Sequence, residues 1–305
     1  MARKTVGMIG LGIMGSAMSA NLIQAGFDVV GYDVAAERLK EHDKEGGTAV
    51  PSCEEVAKRC TILITSLPSL NAMVETAKAL ENAAQPGSIV VETSTLPIDV
   101  KEEARKRLAP RSVTLLDCPL SGTGAQARVK DVLVYASGDK KAYQSTTEVM
   151  DGFSRAHHFV GEFGAGSKMK FVANLLVAIH NVAAAEAMVM AMKAGLDPNM
   201  VLKVVADGAG GSRMLQVRGP MMIAGDYSEA TMKVHIWQKD MTIIGDFARK
   251  LECPTPLFLT SASFYTAAMA MGRGKEDTAA VCAVLEEMAN YTRPAQWNSE
   301  AAGHD

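Results

Sequence analysis

The sequence predicts an α/β fold: a mainly parallel, helix-covered sheet in the first half, then an all-α second half joined to it by one long helix. Three observations predict this. Short apolar runs alternate with helix-length segments as far as Gly161, and such alternation gives a parallel sheet covered on both faces. The alternation stops at a glycine-rich stretch, Gly161 to Gly166, and a long Ala/Val/Met-rich helical pattern follows. Methionine is abundant (19) while aromatics are only 5%, the composition of a core of flexible aliphatics carried on helices.

Length and charge bound the rest. At about 150 residues per domain, 305 residues suggest two domains, placed at 1–163 and 164–305. Apolar residues make up 48% and charged residues 21%, which excludes general disorder, collagen, a disulfide scaffold and a polytopic membrane protein. The net charge of −3 gives no basic excess, so no nucleic-acid partner is expected. The five cysteines are scattered, without CxxC and without histidines at metal spacing. Reduced thiols, a cytoplasmic location and no metal are expected. The start, Met1-Ala2-Arg3-Lys4, is basic and then apolar, but no small-residue cleavage site follows, so no signal peptide is expected.

The elements follow in order. Residues 5–10 form an apolar strand closed by a glycine-rich turn. Residues 14–25 read as a helix stopped at Gly26, a natural C-cap. Residues 28–33 are the next strand, and 36–45 a helix ended by Gly46-Gly47. A buried strand, 62–67, is closed by Pro68. Helix 70–83, strand 88–92, helix 98–108 and strand 113–116 continue the alternation. Strands 133–137 and 157–160 flank helix 140–150. Residues 168–194 are one long helix stopped by Gly195 and Pro198. A transmembrane span is the alternative, since about 20 residues there are mostly apolar. Polar placement argues against it. At about 100° per residue, Lys170, Asn174 and Asn181 fall within about 40° of one another, with Lys168 and Glu186 opposite. Helices at 198–206, 212–223, 232–250, 260–271 and 277–290 complete the second half. The tail 298–305 is expected to fray.

Three motifs carry chemistry. Gly10-Leu11-Gly12-Ile13-Met14-Gly15 fits GxGxxG between a strand and a helix, the context that pattern requires. Gly10 permits the tight turn, Gly12 lets backbone approach a pyrophosphate, and Gly15 lets helix and strand pack closely. The helix N-terminus then offers free N–H groups and a positive dipole end. The first half therefore reads as a Rossmann dinucleotide-binding domain. Asp33 ends the second strand. As a carboxylate it would accept from adenosine ribose hydroxyls and repel a 2′-phosphate; no Arg follows it immediately, the next being Arg38. NAD is read over NADP. The alternative role of Asp33 is a strand-end turn residue.

Asp117-Cys118-Pro119-Leu120-Ser121-Gly122-Thr123-Gly124 is a second Gly/Ser-rich loop after a strand. Its hydroxyls and backbone N–H groups can hold a carboxylate, although a plain surface turn has the same composition. Gly164-Ala165-Gly166 leads into the helix bearing Lys170 and Asn174 at i, i+4 on one face. A buried Lys that can lose its proton suits an alcohol–carbonyl couple. A surface Lys and an interhelical Asn are the alternative.

Four blocks resemble the β-hydroxyacid dehydrogenase family, which includes 3-hydroxyisobutyrate dehydrogenase and tartronate semialdehyde reductase. The glycine run with Ser16-Ala17-Met18 resembles its cofactor signature. The segment from Asp117 to Thr123 resembles its D-x-P-V-S-G-G loop, and that from Gly164 to Asn174 its G-x-G-x-x-x-K-x-x-N-N block. Lys239-Asp240-Met241 resembles its late K-D-L. The resemblance implies Lys170 as catalytic acid/base with Asn174 holding the substrate. It implies Ser121, Gly122 and Thr123 at the substrate carboxylate, and Lys239 approaching substrate or cofactor. Asp240 would stabilise the Lys239 helix. Leu67-Pro68 and Ser94-Thr95 would lie beside the nicotinamide ribose, and Ser212 would reach the site. Leu120, Thr123 and Ala173 depart from the pattern, and His235 and Trp237 precede Lys239 where many members differ. Trp237 is either a specificity wall or a core aromatic. His157, His158, His180 and His235 are expected as surface or satisfied core residues.

The expected reaction is reversible hydride transfer between NAD and a small 3-hydroxy acid or its semialdehyde. A free Lys has a pKa of about 10.4, so this chemistry requires burial and the positive nicotinamide to lower it. Three rivals are weighed. A 6-phosphogluconate-type enzyme needs a longer helical domain. An imine reductase usually lacks the Lys. A non-catalytic dinucleotide-binding relative replaces it and carries extra domains. The resemblance also implies a homodimer or homotetramer, with a small carboxylate substrate and no membrane partner.

Overall fold

A computed structural model describes residues 4–294; Met1 to Arg3 of the basic start and the tail predicted to fray lie outside the described residues. The chain divides into two compact units, Met1–Phe171 and Val172–Asp305.

The first unit contains β1 (Thr5–Ile9), α1 (Ile13–Gln24), β2 (Asp28–Tyr32), α2 (Ala36–Lys44), β3 (Thr48–Ala49), α3 (Cys53–Arg59), β4 (Ile62–Thr65), α4 (Leu70–Ala83), β5 (Ile89–Glu92) and α5 (Ile98–Leu108). It continues with β6 (Thr114–Asp117), β7 (Leu120–Ser121), α6 (Gly124–Arg128), β8 (Leu133–Ser137), α7 (Lys140–Phe153) and β9 (Ala156–Gly161). Among the described residues the strands form one sheet of nine, ordered β3-β2-β1-β4-β5-β6-β8-β7, with β9 on β8. Pairing is parallel from β3 to β6; β8 runs antiparallel to β6 and β7. The strand order reverses between β2-β1 and β4, so a crevice opens at the carboxyl ends of β1 and β4, where such folds bind ligands.

Successive strand residues face opposite layers. Met8, Val29, Ile64, Val91 and Leu116 pack in one core with Met18 and Leu22 of α1 and Val149 and Phe153 of α7. Their neighbours Ile9, Val30, Leu63, Val90 and Leu115 pack in the other with Val56, Met73, Leu80 and Leu108 of α3, α4 and α5. Both faces are apolar because both are covered.

The long helix α8 (Ala165–Lys193) spans the division between the units. The division runs through the helix because its first turn is bonded into the first unit, through Ser167 to Asp117. The predicted stripe is observed: Lys170, Asn174 and Asn181 are buried, and Lys168 and Glu186 exposed. α8 is long and apolar enough to cross a membrane, with mean hydropathy 1.7, and half of that stretch is buried inside the protein.

The second unit adds α9 (Pro198–Asp207), α10 (Arg213–Ala224), α11 (Val234–Lys250), α12 (Pro256–Ala270) and α13 (Val281–Met288). Asp277 fastens it: Oδ1 accepts from Arg218 at 3.1 Å, and Oδ2 from Thr231 N at 2.8 Å and Met232 N at 3.0 Å. Asn181 donates to Tyr265 Oη and to the Thr278 carbonyl. Two expectations shift here. α12 begins at Pro256, not at residue 260, because proline suits the first helical position. The 277–290 helix is broken into a 3-10 turn at Thr278–Ala280 and α13, since the Asp277 side chain caps the turn through Ala279 N.

Candidate active site

The glycine turn is built as its spacing requires. Gly10 has φ +90°, and a Cβ there would stand 2.2 Å from the Ser66 carbonyl oxygen. A Cβ on Gly15 would stand 1.9 Å from the Gly10 carbonyl oxygen, so α1 presses on the turn with only hydrogen between. Gly12 is the N-cap, with no side-chain cap and no acidic residue in the first turn. A Cβ on Gly12 would meet only the Arg38 guanidinium, at 3.3 Å. This cradle fits a diphosphate: backbone donors at a helix N-terminus that no capping side chain occupies. Ile13 is exposed at its mouth, Met14 half-buried and Leu11 buried.

Asp33, just past β2, is buried and tied to this turn. Its Oδ2 accepts from Leu11 N at 2.7 Å and lies 3.2 Å from Arg38 Nη1; its Oδ1 accepts from Ala35 N at 2.9 Å. The acceptor is thus fixed beside the cradle, with a cation on it. Leu67 N donates to Ser94 Oγ at 2.7 Å. This bond joins the segment after β4, which carries Leu67 and exposed Pro68, to Ser94 and half-buried Thr95 after β5.

In the second loop Gly122 has φ +142°, and a Cβ would lie 2.7 Å from Val132. Thr123 caps α6 in a capping box: Gln126 N donates to Thr123 Oγ1 at 3.4 Å, and Thr123 N donates to Gln126 Oε1 at 3.0 Å. Gln126 Nε2 then donates to Asp131 at 3.0 Å. The departure to Thr at 123 therefore has a structural account: it supplies the hydroxyl that caps α6. Ser121, Gly122 and Thr123 are all half-buried and adjacent on this loop.

Lys170 is only 9% exposed and Asn174 5%, which sets aside the surface alternative for Lys170. The two are brought to one face of α8 by their spacing. In the second unit, Asn174 Nδ2 donates to Asp240 Oδ2 at 2.9 Å, and Lys239 Nζ lies 3.7 Å from Asp240 Oδ1. Trp237 is buried edge-to-face on Tyr265 at 6.1 Å, as a core aromatic is. Ser212 caps α10 through Leu215 N. His235 Nδ1 bonds the Gly274 carbonyl, and His157 lies between Tyr143 Oη and Asp151. Among the described residues no group of three His, Cys, Asp or Glu stands where it could hold a metal.

Sequence reasoning missed one charged cluster: Glu92, Lys101 and Asp117, fully buried together. Lys101 shares the inner stripe of α5 with Ala104 and Leu108. A lysine on an apolar stripe was the available signal.

Two family models match the chain. One, described as the NAD binding domain of 6-phosphogluconate dehydrogenase, covers residues 5–161. The other, described as NAD-binding of NADP-dependent 3-hydroxyisobutyrate dehydrogenase, covers 164–285. The L-threonate dehydrogenase of Cupriavidus necator is 32% identical over 286 residues, 92% of this chain and 96% of the relative. A crystal structure of 3-hydroxyisobutyrate dehydrogenase from Salmonella typhimurium superposes with TM-score 0.83 at 30% identity, covering 92% of this chain and 99% of that one. The Mycobacterium tuberculosis 3-hydroxyisobutyrate dehydrogenase, solved with L-serine, gives TM-score 0.85 at 25% identity, covering 93% and 99%.

Proposed function

The chain belongs to the β-hydroxyacid dehydrogenase family, and from that premise we propose that it oxidises a small 3-hydroxy acid reversibly, with NAD as preferred cofactor and Lys170 as acid/base. It is a pyridine-dinucleotide oxidoreductase acting on the CH–OH group of small hydroxy acids. The observation that carries the finer reading is a buried lysine one helical turn from a buried asparagine, with that asparagine's amide held by Asp240.

Bound, the nicotinamide supplies the hydride acceptor or donor. The backbone N–H groups at the N-terminus of α1, within the turn of residues 10–15, would hold the diphosphate, and Asp33 would accept from the adenosine ribose. The loop of Ser121, Gly122 and Thr123 takes the substrate carboxylate. Asn174, with Nδ2 committed to Asp240, presents Oδ1 to the substrate hydroxyl. In oxidation Lys170 Nζ takes the hydroxyl proton; in reduction the ammonium returns it.

NAD preference is supported by Asp33, whose carboxylate repels a 2′-phosphate. Arg38 partly offsets that charge. Asp33→Ala is expected to narrow the ratio of kcat/KM for NAD over NADP; an unchanged ratio rejects the assignment. We further propose a cytoplasmic homodimer or homotetramer. Its support is exposed apolar side chains in the helical unit, such as Met190 at 73%, Leu257 at 67% and Met288 at 67%. Light scattering tests this.

The substrate test is an absorbance assay of NADH with 3-hydroxyisobutyrate, glycerate, L-threonate, 4-hydroxybutyrate, their semialdehydes where stable, and cyclic imines. Turnover of a hydroxy acid or semialdehyde is expected. Reduction of imines alone, or NADH binding without turnover, contradicts the reading.

A further inference from the structure

Beneath the carboxyl ends of β5 and β6, the Lys101, Glu92 and Asp117 side chains have 0% exposure. The Lys101 ammonium lies 2.6 Å from Glu92 Oε2, 2.7 Å from Asp117 Oδ1 and 2.7 Å from the Ser94 carbonyl oxygen. Two of its protons are placed on Asp117 and Ser94, and Glu92 Oε2 pairs with it by charge. Burial opposes the ammonium, but the Asp117 and Glu92 carboxylates outweigh it, and the Lys101 pKa is held above the ordinary lysine value.

The remaining bonds of the trio run outward to the proposed site. Asp117 Oδ2 accepts from Ser167 N at 2.7 Å, and Oδ1 accepts from Ser167 Oγ at 2.8 Å. Ser137 Oγ donates to the Asp117 carbonyl at 3.0 Å and accepts from Gly166 N at 2.9 Å. Glu92 Oε1 accepts from Ser94 N at 2.9 Å. The trio carries a formal charge of −1, and Asp117 places it at the N-terminus of α8. There the N–H groups that have no acceptor within the helix and the positive dipole end favour an anion. Lys170 follows one turn later.

Stability alone does not account for a buried charged trio, since apolar side chains of the same volume are often as stable. What the trio adds is geometry. It ties α5, the ends of β5 and β6 and the first turn of α8 together at fixed bond lengths. We propose that Lys101 is a positioning residue for Lys170: it holds Asp117 in place on Ser167, and so sets where Lys170 stands relative to Ser94, Thr95 and the loop at 119–123. The proposal rests on the reading of Lys170 as acid/base.

Lys101→Met leaves two buried carboxylates face to face without a cation. The double variant Glu92→Gln/Lys101→Met returns the formal charge to −1 and lets Asp117 stay on Ser167. Misplacing a reacting group by about 1 Å can cost about a hundredfold. Lys101→Met is therefore expected to lower kcat at least about tenfold, with KM for NADH within about threefold of wild type. The double variant is expected to recover most of that loss. A folded Lys101→Met with wild-type kcat, or a double variant no better than the single, overturns the proposal. Should Lys101→Met fail to fold, Ser167→Ala removes only the hydroxyl bond to Asp117. Its kcat is expected to fall at constant KM for NADH, and an unchanged kcat overturns the proposal.

Hydrogen exchange at the amides of residues 167–171 gives a readout independent of the reaction. Exchange is expected to accelerate in Lys101→Met and to slow again in the double variant, while β1 stays protected. Unaltered exchange overturns the proposal whatever the reaction is. Accelerated exchange together with a fully active Lys170→Ala would instead overturn the reading of Lys170 and leave the placement of α8 supported.

Discussion

Gly15 shows how little room single positions leave. A methyl group there would collide with the Gly10 carbonyl oxygen at 1.9 Å, so α1 must shift away from the turn. Gly15→Ala is expected to weaken NADH binding by roughly tenfold or more, because the helix N-terminus no longer faces the diphosphate. Fluorescence titration checks it, and wild-type affinity would remove the cradle assignment. His42 gives a pH dependence. It is buried in a slot lined by Gly31 and Gly47, with Nδ1 3.1 Å from Ser19 Oγ. Burial lowers its pKa below the ordinary 6.5, despite raising contributions from the Val29 backbone, Asp43 and Glu45. The folded chain therefore binds this proton less readily than the unfolded one. Stability is intact above the ordinary value and falls as pH drops below it, toward the lowered folded pKa. Melting temperatures taken from about pH 7 to pH 5 should decline more steeply in wild type than in His42→Gln. Equal slopes would contradict this.

At the level of elements, the capping box of α6 links a departure from the family pattern to function. Gln126→Ala removes the acceptor for Thr123 N. The Thr123 hydroxyl still caps α6, so only a small fall in unfolding free energy is expected, below the about 0.5–2 kcal/mol of a lost N-cap. KM for the hydroxy acid should rise while KM for NADH holds; equal rises in both would argue against Thr123 at the carboxylate. From the sequence only a loop is expected here, because α6 has just five residues behind its T-x-x-Q start. The α8 stripe was legible, because a 3.6-residue period alone decides which residues share a face. Short elements were not legible. α3 is only seven residues, though Ser52 caps it through Glu55 N in an S-x-x-E pattern. The partners of Lys101 were illegible for a different reason. Its inner position follows from the period of α5, but Glu92 and Asp117 meet it only once β5 and β6 pair in register.

For the whole molecule, the alternation of apolar and helical segments was enough to read the doubly covered sheet, since a parallel sheet needs crossovers and two apolar faces. The methionine excess divides into two groups. Met188, Met192 and Met222 are buried in helical packing, while Met190, Met200 and Met288 are exposed. What the local pattern does not reach is substrate identity, which depends on side chains from distant segments. The central claim is the role of Lys170, and its most direct measurement pairs turnover with cofactor binding in Lys170→Ala. General acid–base catalysis contributes about a hundredfold or more. The variant is therefore expected to lose at least about 99% of kcat while binding NADH with wild-type affinity. A variant that binds NADH normally and keeps more than roughly a tenth of the wild-type kcat would contradict that role.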